Sequence, residues 1–284
     1  MLSPPRSPER VYFLAGVAKY EGESLQNLES VPEELARMRS LLERLGFTDG
    51  APSDLRGAEE ISPLAMRKAL SDWATQHDDG EERTVVIYCT GHGEVPDWAP
   101  SGWFLVDRDY LADPLGNRLD PADLLEQFAR VHAATDVLLV LDACMSGQGA
   151  VDSLSKALKR WETLTENCNV QVIASARPVE EAGQLRFVSA FERALDHEPQ
   201  GNEYIDLLRL IGEVNEELGG EQQSSVLATP QVGRCRVLPN PKHMPRRAPD
   251  WLAGDLAVWS APARGVTEPN EPGWFFTGRD SALA

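Results

Sequence analysis

The sequence predicts an α/β fold with a mostly parallel central sheet of about six strands and helices on both faces. Short apolar runs alternate with amphipathic segments along most of the 284 residues. The runs lack the apolar–polar alternation of a half-exposed strand, which is typical of strands that are buried on both faces. The predicted strands are 11–17, 83–88, 103–106, 136–141, 170–175 and 234–238.

The predicted helices begin and end at residues that suit helix termini. Pro32 fits the first turn of a helix that Gly46 ends, and Asp120 followed by Pro121 fits the start of another. Apolar residues recur three or four positions apart within these segments, so one face of each helix is apolar. The predicted helices cover about 32–45, 63–76, 121–132, 152–163, 187–195 and 204–218.

Composition limits the class of protein. A hydrophobic content of 42% and a charged content of 25% are ordinary for a globular protein. The net charge of −18 disfavours nucleic acids and anionic membranes as partners and favours basic ones. No segment approaches the roughly 18 apolar residues of a membrane helix, and residues 1–10 do not resemble a secretory signal. We therefore expect a cytoplasmic protein with reduced thiols.

The four cysteines do not form a metal-binding pattern. Cys89, Cys144, Cys168 and Cys235 contain no Cys-x-x-Cys pair, so no zinc site is expected. Cys89 and Cys168 lie in or beside apolar runs and are predicted to be buried.

Two of the apolar runs are each followed at once by a reactive side chain. The first leads into Thr90-Gly91-His92-Gly93 and the second into Asp142-Ala143-Cys144-Met145-Ser146-Gly147, and Cys144 comes 52 positions after His92. That spacing leaves room for a crossover between neighbouring parallel strands. Sites in such sheets form at the carboxyl ends of strands. We therefore predict a catalytic pair in which the His92 imidazole takes the proton of the Cys144 thiol or stabilises its thiolate as an ion-pair partner.

Backbone N–H groups beside this pair suit an oxyanion hole. Gly93 and Cys144 are predicted to donate to the oxygen of a reacting carbonyl group, and small neighbouring residues leave space for a substrate backbone. The predicted reaction class is acyl transfer, and within it peptide-bond cleavage.

These segments resemble the caspase-like cysteine peptidases of clan CD, and among them the bacterial metacaspase, orthocaspase and CHAT-like group. Asp-x-Cys-x-Ser-Gly is a metacaspase-like version of the caspase signature, which has Gln in place of the Asp. Residues 15–20, 174–182, 229–231 and 237–241 resemble further parts of that domain, so the likeness covers about residues 10–241. It implies a caspase-like fold and cysteine endopeptidase activity.

The resemblance also implies a specificity. In metacaspase-like enzymes the Asp of this motif helps to bind a basic side chain before the scissile bond, which assigns that role to Asp142 and places Ser175 in the same pocket. A carboxylate suits an arginine because the charge-assisted bond can be bidentate. The expected partner is a protein or peptide with Arg or Lys before the bond. Met145 departs from the His or Arg common at its position in relatives.

Three alternatives stay open at this point. Asp142 could only orient its loop, the peptidase could have acidic or other non-basic specificity, or the chain could be a caspase-like adaptor that binds partners without cleaving them. The presence of both His92 and Cys144 argues against the adaptor.

No cofactor and no metal is expected, with one qualification. Asp107, Asp109 and Asp113 form an acidic loop of the kind that binds calcium in some metacaspases, although carboxylates at such spacing are more often solvated. No P-loop sequence for ATP is present.

The chain is expected to divide into three parts: a disordered tail at 1–10, the peptidase domain at 11–241, and a linker or tail at 242–284. Residues 273–279, Gly-Trp-Phe-Phe-Thr-Gly-Arg, resemble the start of a NACHT/STAND-type ATPase module. That resemblance implies an effector domain of a larger signalling protein, in bacteria an antiviral defence protease whose partner is a STAND-type sensor. The alternative is a tail that packs on the domain.

Overall fold

The computed structural model describes residues 8–21, 25–77, 79–94, 103–126, 135–144, 168–177, 185–219, 223–228 and 236–243, all within Met1–His243. The described helices are α1 (Val31–Arg44), α2 (Pro63–Gln76), α3 (Pro121–Glu126), α4 (Arg186–Asp196) and α5 (Leu207–Leu218). The described strands are β1 (Glu9–Gly16), β2 (Thr48–Asp49), β3 (Arg83–Gly91), β4 (Gly93–Glu94), β5 (Phe104–Val106), β6 (Arg118–Leu119), β7 (Thr135–Cys144), β8 (Cys168–Arg177) and β9 (Gln223–Ala228).

Six of the described strands form the central sheet, in the order β2-β1-β3-β7-β8-β9. Every neighbouring pair from β2 to β8 is parallel, and β9 is antiparallel to β8. The remaining described strands, β4, β5 and β6, form a small antiparallel sheet directly after β3. The predicted α/β class with a mostly parallel sheet is confirmed.

Helices cover both faces of the central sheet. Tyr12 and Phe13 are consecutive in β1, so their side chains point to opposite faces. The Tyr12 hydroxyl donates to the carboxylate of Glu43 in α1 at 3.0 Å, whereas the Phe13 ring meets the ring of Trp73 in α2 edge-on, with centroids 5.7 Å apart. Helices α1 and α2 therefore lie on opposite sides. All nine residues of β3 are buried, which explains why its sequence shows no alternation.

Helices α4 and α5 pack together on the face of the central sheet that α1 covers. Helix α4 packs against both α1 and α5. The Arg37 guanidinium of α1 donates to the Glu192 carboxylate and, at 2.9 Å, to the Ser189 hydroxyl of α4. Because these side chains are only partly exposed, the polar contacts hold the two helices in one relative position.

The first strand begins earlier than the sequence suggests. β1 starts at Glu9, so the predicted tail at 1–10 extends two residues too far. Glu9 and Arg10 pair in register with Arg83 and Thr84 of β3, and the Glu9 carboxylate lies 3.0 Å from the Arg83 guanidinium. This ion pair and the strand pairing extend β1 beyond its apolar run. Residues 1–7 lie outside the described residues.

The predicted strand at 234–238 is wrong in its described part. Residues 236–238 belong to no strand, although Val237 and Leu238 are buried. The Leu238 carbonyl instead accepts the Ile205 N–H at 2.8 Å, and Pro239 forms an isolated bridge with Tyr204. A proline has no N–H to donate, which prevents a continuous ladder at this point.

The same pairing moves the start of the last described helix. Since Tyr204 and Ile205 pair with the 238–239 segment, α5 begins at Leu207 rather than at the predicted residue 204. The Asp206 side chain caps it by accepting the Leu208 N–H at 3.0 Å. The sequence does not predict the edge strand β9 (QSSVLA), because only its last three residues are apolar. The predicted helix at 152–163, the end of that at 121–132, and residues 244–284 lie outside the described residues.

Candidate active site

His92 and Cys144 occupy matching positions at the carboxyl ends of neighbouring strands. The register between β3 and β7 pairs Gly91 with Ala143, and His92 and Cys144 are the next residue of each chain segment. The prediction that these two strands are parallel neighbours is confirmed. The Cys144 side chain lies outside the described part of the chain, so the catalytic pair itself stays a prediction.

The backbone of His92 is held by two segments that are distant in sequence. Its N–H donates to the hydroxyl of Tyr20 at 2.9 Å, and its carbonyl accepts the Val106 N–H at 3.2 Å. Tyr20 lies in the loop between β1 and α1, and Val106 lies in β5. These two bonds fix the backbone of the half-buried His92 relative to the sheet, apart from any contact that its own side chain makes.

The imidazole of His92 has a defined orientation. Its Nε2 lies 2.7 Å from the carbonyl oxygen of Gln26, and the Tyr20 ring packs against it at a centroid distance of 4.8 Å. A carbonyl oxygen only accepts, so Nε2 carries the hydrogen of this bond. In the neutral imidazole the lone pair then lies on Nδ1, so Nδ1 is the basic nitrogen of the ring.

The predicted oxyanion donor Gly93 is the first residue of β4. Gly93 is opposite Leu105 in β5, and the bond from Val106 N–H to the His92 carbonyl identifies this as a non-hydrogen-bonded pair of the antiparallel ladder. The β4–β5 pairing therefore does not use the Gly93 N–H, and its backbone direction suits donation to another group. The role of the Cys144 N–H, like that of Gly93, stays a prediction.

Asp142 and Ser175, the two predicted pocket residues, lie side by side. The register aligns Thr90 of β3, Asp142 of β7 and Ser175 of β8 across three neighbouring strands. Residues aligned in this way point to the same face of a parallel sheet. Asp142 and Ser175 are 0% exposed and Thr90 is 1% exposed. The structure thus brings together a row of buried polar side chains directly before the ends of the strands.

The row is continued by two residues that the sequence reasoning did not assign. The Tyr88 hydroxyl donates to Asp142 Oδ2 at 3.1 Å, and the Thr90 hydroxyl donates to Oε2 of Glu34 at 2.5 Å. Glu34 is in α1 and is 0% exposed. The row therefore faces α1, and two carboxylates, Asp142 and Glu34, are buried on this face. Buried carboxylates need such donors, because burial removes their hydration.

A sequence signal for Glu34 existed in the helix spacing. Val31, Leu35 and Met38 are buried in α1 and define its sheet-facing side. Glu34 lies three residues after Val31 and four before Met38, which places it on that side. A carboxylate within an apolar helix face is a candidate for function or for a buried hydrogen-bond network.

The acidic loop is engaged in local hydrogen bonds. Asp107 accepts from the Ser62 hydroxyl and, at 2.7 Å, from the Arg108 N–H. Asp113 Oδ1 accepts the N–H groups of Leu115 and Gly116 at 3.2 and 3.0 Å. Within the residues that the structure describes, no group of three or more His, Cys, Asp or Glu is arranged to hold a metal ion. Calcium binding at Asp107, Asp109 and Asp113 stays a prediction.

The Cys89 thiol is buried, as expected. The residue is 0% exposed, and burial raises the pKa of the thiol well above its usual range. It therefore stays protonated at neutral pH and is a poor nucleophile. The Cys168 side chain and Cys235 lie outside the described part of the chain.

Among the described helices, none combines the length and the apolar character that crossing a membrane requires. No family model and no curated protein matches the sequence.

Solved structures show similarity in fold at low sequence identity. A protein of Geobacter sulfurreducens matches with a TM-score of 0.56 and 13% identity, over 84% of this chain and 99% of that one. Caspase-1 of Spodoptera frugiperda matches with a TM-score of 0.48 and 12% identity, over 81% and 93% of the two chains. The Drosophila initiator caspase Dronc matches with a TM-score of 0.48 and 11% identity, over 83% and 84%. The first of these agrees with the α/β fold class described above.

Proposed function

We propose that the protein is a caspase-like cysteine endopeptidase that uses His92 and Cys144 and cleaves after Arg or Lys. The observation that carries the proposal is the register of Gly91 with Ala143, which sets the two residues at the ends of adjacent parallel strands. The motif resemblance around His92 and Cys144 supports the same reaction class.

The hydrogen bond from His92 Nε2 to the Gln26 carbonyl defines the proton path of this proposal. Nδ1 takes the proton of the Cys144 thiol, and the thiolate attacks the scissile carbonyl carbon. The backbone N–H groups of Gly93 and Cys144 stabilise the oxyanion of the tetrahedral intermediate. The imidazolium gives its proton to the leaving amine, and water then hydrolyses the thioester.

Basic specificity is supported by the two carboxylates on the α1 face. Asp142 and Glu34 are both buried there. A guanidinium beside them exchanges its hydration for charge-assisted hydrogen bonds in a site with little water. Because Asp142 is 0% exposed, a substrate side chain reaches it only when the residues that cover this face of the sheet move aside. The same burial is the observation that favours the alternative in which Asp142 only orients its strand end.

Fluorogenic peptides with Arg, Lys, Asp or Leu before the bond test the proposal. The wild type should cleave the Arg and Lys peptides, and Cys144→Ala or His92→Ala should abolish cleavage. Cys89→Ala is the matched control, because it removes a buried thiol from the neighbouring strand and should keep the activity. Cleavage of only the Asp or Leu peptide would refute the basic specificity. Cleavage that survives in Cys144→Ala would refute the catalytic assignment.

An adaptor would give a different result in a second measurement. In a peptidase, iodoacetamide should alkylate Cys144 of the wild type faster than Cys144 of His92→Ala, since the imidazole produces the thiolate. Equal rates in both proteins, together with no cleavage of any peptide, would favour the adaptor.

The cellular role remains part of the same proposal. We expect a cytoplasmic signalling or antiviral effector that a STAND-type module controls, on the resemblance of residues 273–279. Those residues lie outside the described part of the chain. A reading frame that encodes an ATPase module after residue 284 would support this role.

A further inference from the structure

One loop contacts His92 at two separate points. The loop between β1 and α1 supplies the Tyr20 hydroxyl, which accepts the His92 N–H at 2.9 Å. It also supplies the Gln26 carbonyl, which lies 2.7 Å from His92 Nε2. The first contact holds the backbone of the histidine and the second holds its ring. The position of the imidazole therefore depends on the distance between Tyr20 and Gln26 within this loop.

Asn27 joins the two arms of the loop. Its side-chain oxygen accepts the Tyr20 N–H at 2.9 Å. Beside it, the Leu28 N–H donates to the Ala18 carbonyl at 2.7 Å. The Gln26 carbonyl belongs to the planar peptide unit that ends at the Asn27 nitrogen. An Asn27 that is held by Tyr20 therefore also limits the direction in which the Gln26 carbonyl points.

Gly91 allows the close approach of Tyr20. A Cβ at this position would lie 2.9 Å from the Tyr20 hydroxyl oxygen, closer than van der Waals contact permits. The absence of a side chain lets the hydroxyl reach the next N–H in the chain, that of His92. The contact between Tyr20 and His92 therefore requires both the tyrosine hydroxyl and the absence of a side chain at Gly91.

We propose that Asn27 is a positioning residue for His92, holding Tyr20 and Gln26 at the separation that keeps the imidazole in its Nε2–H tautomer. The consequence for catalysis rests on the proposed peptidase function, whereas the consequence for the tautomer does not. Asn27 itself is exposed, so its replacement removes the hydrogen bond from the Tyr20 N–H without leaving a cavity in the core.

Two substitutions at this position separate positioning from a general effect. Asn27→Ala removes the acceptor for the Tyr20 N–H, whereas Asn27→Asp keeps an oxygen in the same place and should behave as the wild type. Misplacing a catalytic group by about 1 Å costs up to about 100-fold in rate. We expect kcat of Asn27→Ala to fall by about 10-fold to 100-fold, with KM changed by less than about 2-fold because the contact is to His92 and not to substrate.

The tautomer is measured directly by long-range ¹H–¹⁵N NMR of the histidine rings, with His92→Gln to assign the signals. The wild type and Asn27→Asp should show His92 in the Nε2–H form, and Asn27→Ala should show a mixture of tautomers. Tyr20→Phe removes only the hydroxyl and should shift the mixture in the same direction.

The outcomes distinguish this proposal from the proposed function. If the wild type cleaves no peptide while the tautomer responds to Asn27→Ala as expected, the peptidase function fails and the positioning role stands. If Asn27→Ala keeps the wild-type spectrum and kcat, the positioning role is refuted. It is also refuted if Asn27→Asp is impaired as strongly as Asn27→Ala.

Discussion

Replacing Asp142 by Asn removes a negative charge from the row of buried polar side chains and keeps the size of the side chain. An oxygen remains to accept the Tyr88 hydroxyl, now 3.1 Å from Asp142 Oδ2. The fold should therefore tolerate the change. Its effect should appear when a substrate guanidinium approaches the α1 face of the sheet.

The burial of Asp142 determines the size of the expected effect. Removing one partner of a buried, hydrogen-bonded charge pair costs about 2–5 kcal/mol. At 1.36 kcal/mol for each factor of ten, that is about 30-fold to 5,000-fold in kcat/KM. Asp142 is 0% exposed, but Glu34, also 0% exposed, keeps its carboxylate on the same face. We therefore expect the lower part of this range, about 30-fold to 300-fold for arginine substrates.

The assay compares peptides with Arg and with citrulline, a neutral side chain of the same shape, before the scissile bond. Asp142→Asn should lower kcat/KM for the Arg peptide and leave the citrulline value nearly unchanged. Asp136→Asn is the matched control, since it makes the same chemical change six residues earlier in β7. An unchanged Arg-to-citrulline ratio in Asp142→Asn would refute the pocket assignment and leave Asp142 with an orienting role.

Three further predictions concern the framework of the site. Thr90→Val removes the donor to the buried Glu34 carboxylate, which should lower the free energy of unfolding by about 1–3 kcal/mol and Tm by about 2–10 °C. Thr90→Ser keeps a hydroxyl and should keep the wild-type Tm. Equal Tm values for the two variants would contradict this prediction. Gly91→Ala introduces a Cβ at a φ of +140° and 2.9 Å from a tyrosine hydroxyl, so it should lower kcat more than Gly57→Ala, whose φ of +73° has no atom within 4 Å of the added Cβ. Similar kcat values in the two alanine variants would show that contact with the hydroxyl is unimportant. Burial raises the pKa of Asp136, so the folded state binds its proton more readily, and the contribution of this one group to stability is lost as pH rises from about 4 through the raised pKa. In urea unfolding, Asp136→Asn should therefore raise the free energy of unfolding above the wild-type value by more at pH 7 than at pH 4. It should also raise this free energy by more than the exposed control Asp72→Asn does. An equal increase at both pH values would contradict the predicted direction of the pH dependence.

The spacing of residues along the chain was enough to predict the fold class and the place of the candidate site. Uninterrupted apolar runs identify strands buried on both faces, and β3 is buried along its whole length. Polar residues directly after such runs must lie at the carboxyl edge of a parallel sheet. The proximity of His92 and Cys144 in the sheet follows from this rule, since β3 and β7 are neighbours.

The predicted strands differ from the observed ones where the local sequence pattern and the long-range strand pairing disagree. The apolar residues Val237 and Leu238 resemble a strand, yet they fill the core beside Ile205 without joining the sheet. The segment Gln223–Ala228 is apolar only in its last three residues and still forms β9, because β8 offers it an unpaired edge. Strand pairing is decided by the partner as well as by the strand, and a single segment does not contain that information.

The sequence by itself determined which residues are chemically able to form the site, because residue type and strand alternation are local properties. The tertiary structure decided which of them meet. It placed Glu34 of α1 against Thr90, and it brought Tyr20 and Gln26 into contact with His92. These contacts join segments 56 to 72 residues apart in sequence. The tautomer of the histidine and the burial of the carboxylates depend on such contacts, and so they follow only from the packing of the whole domain.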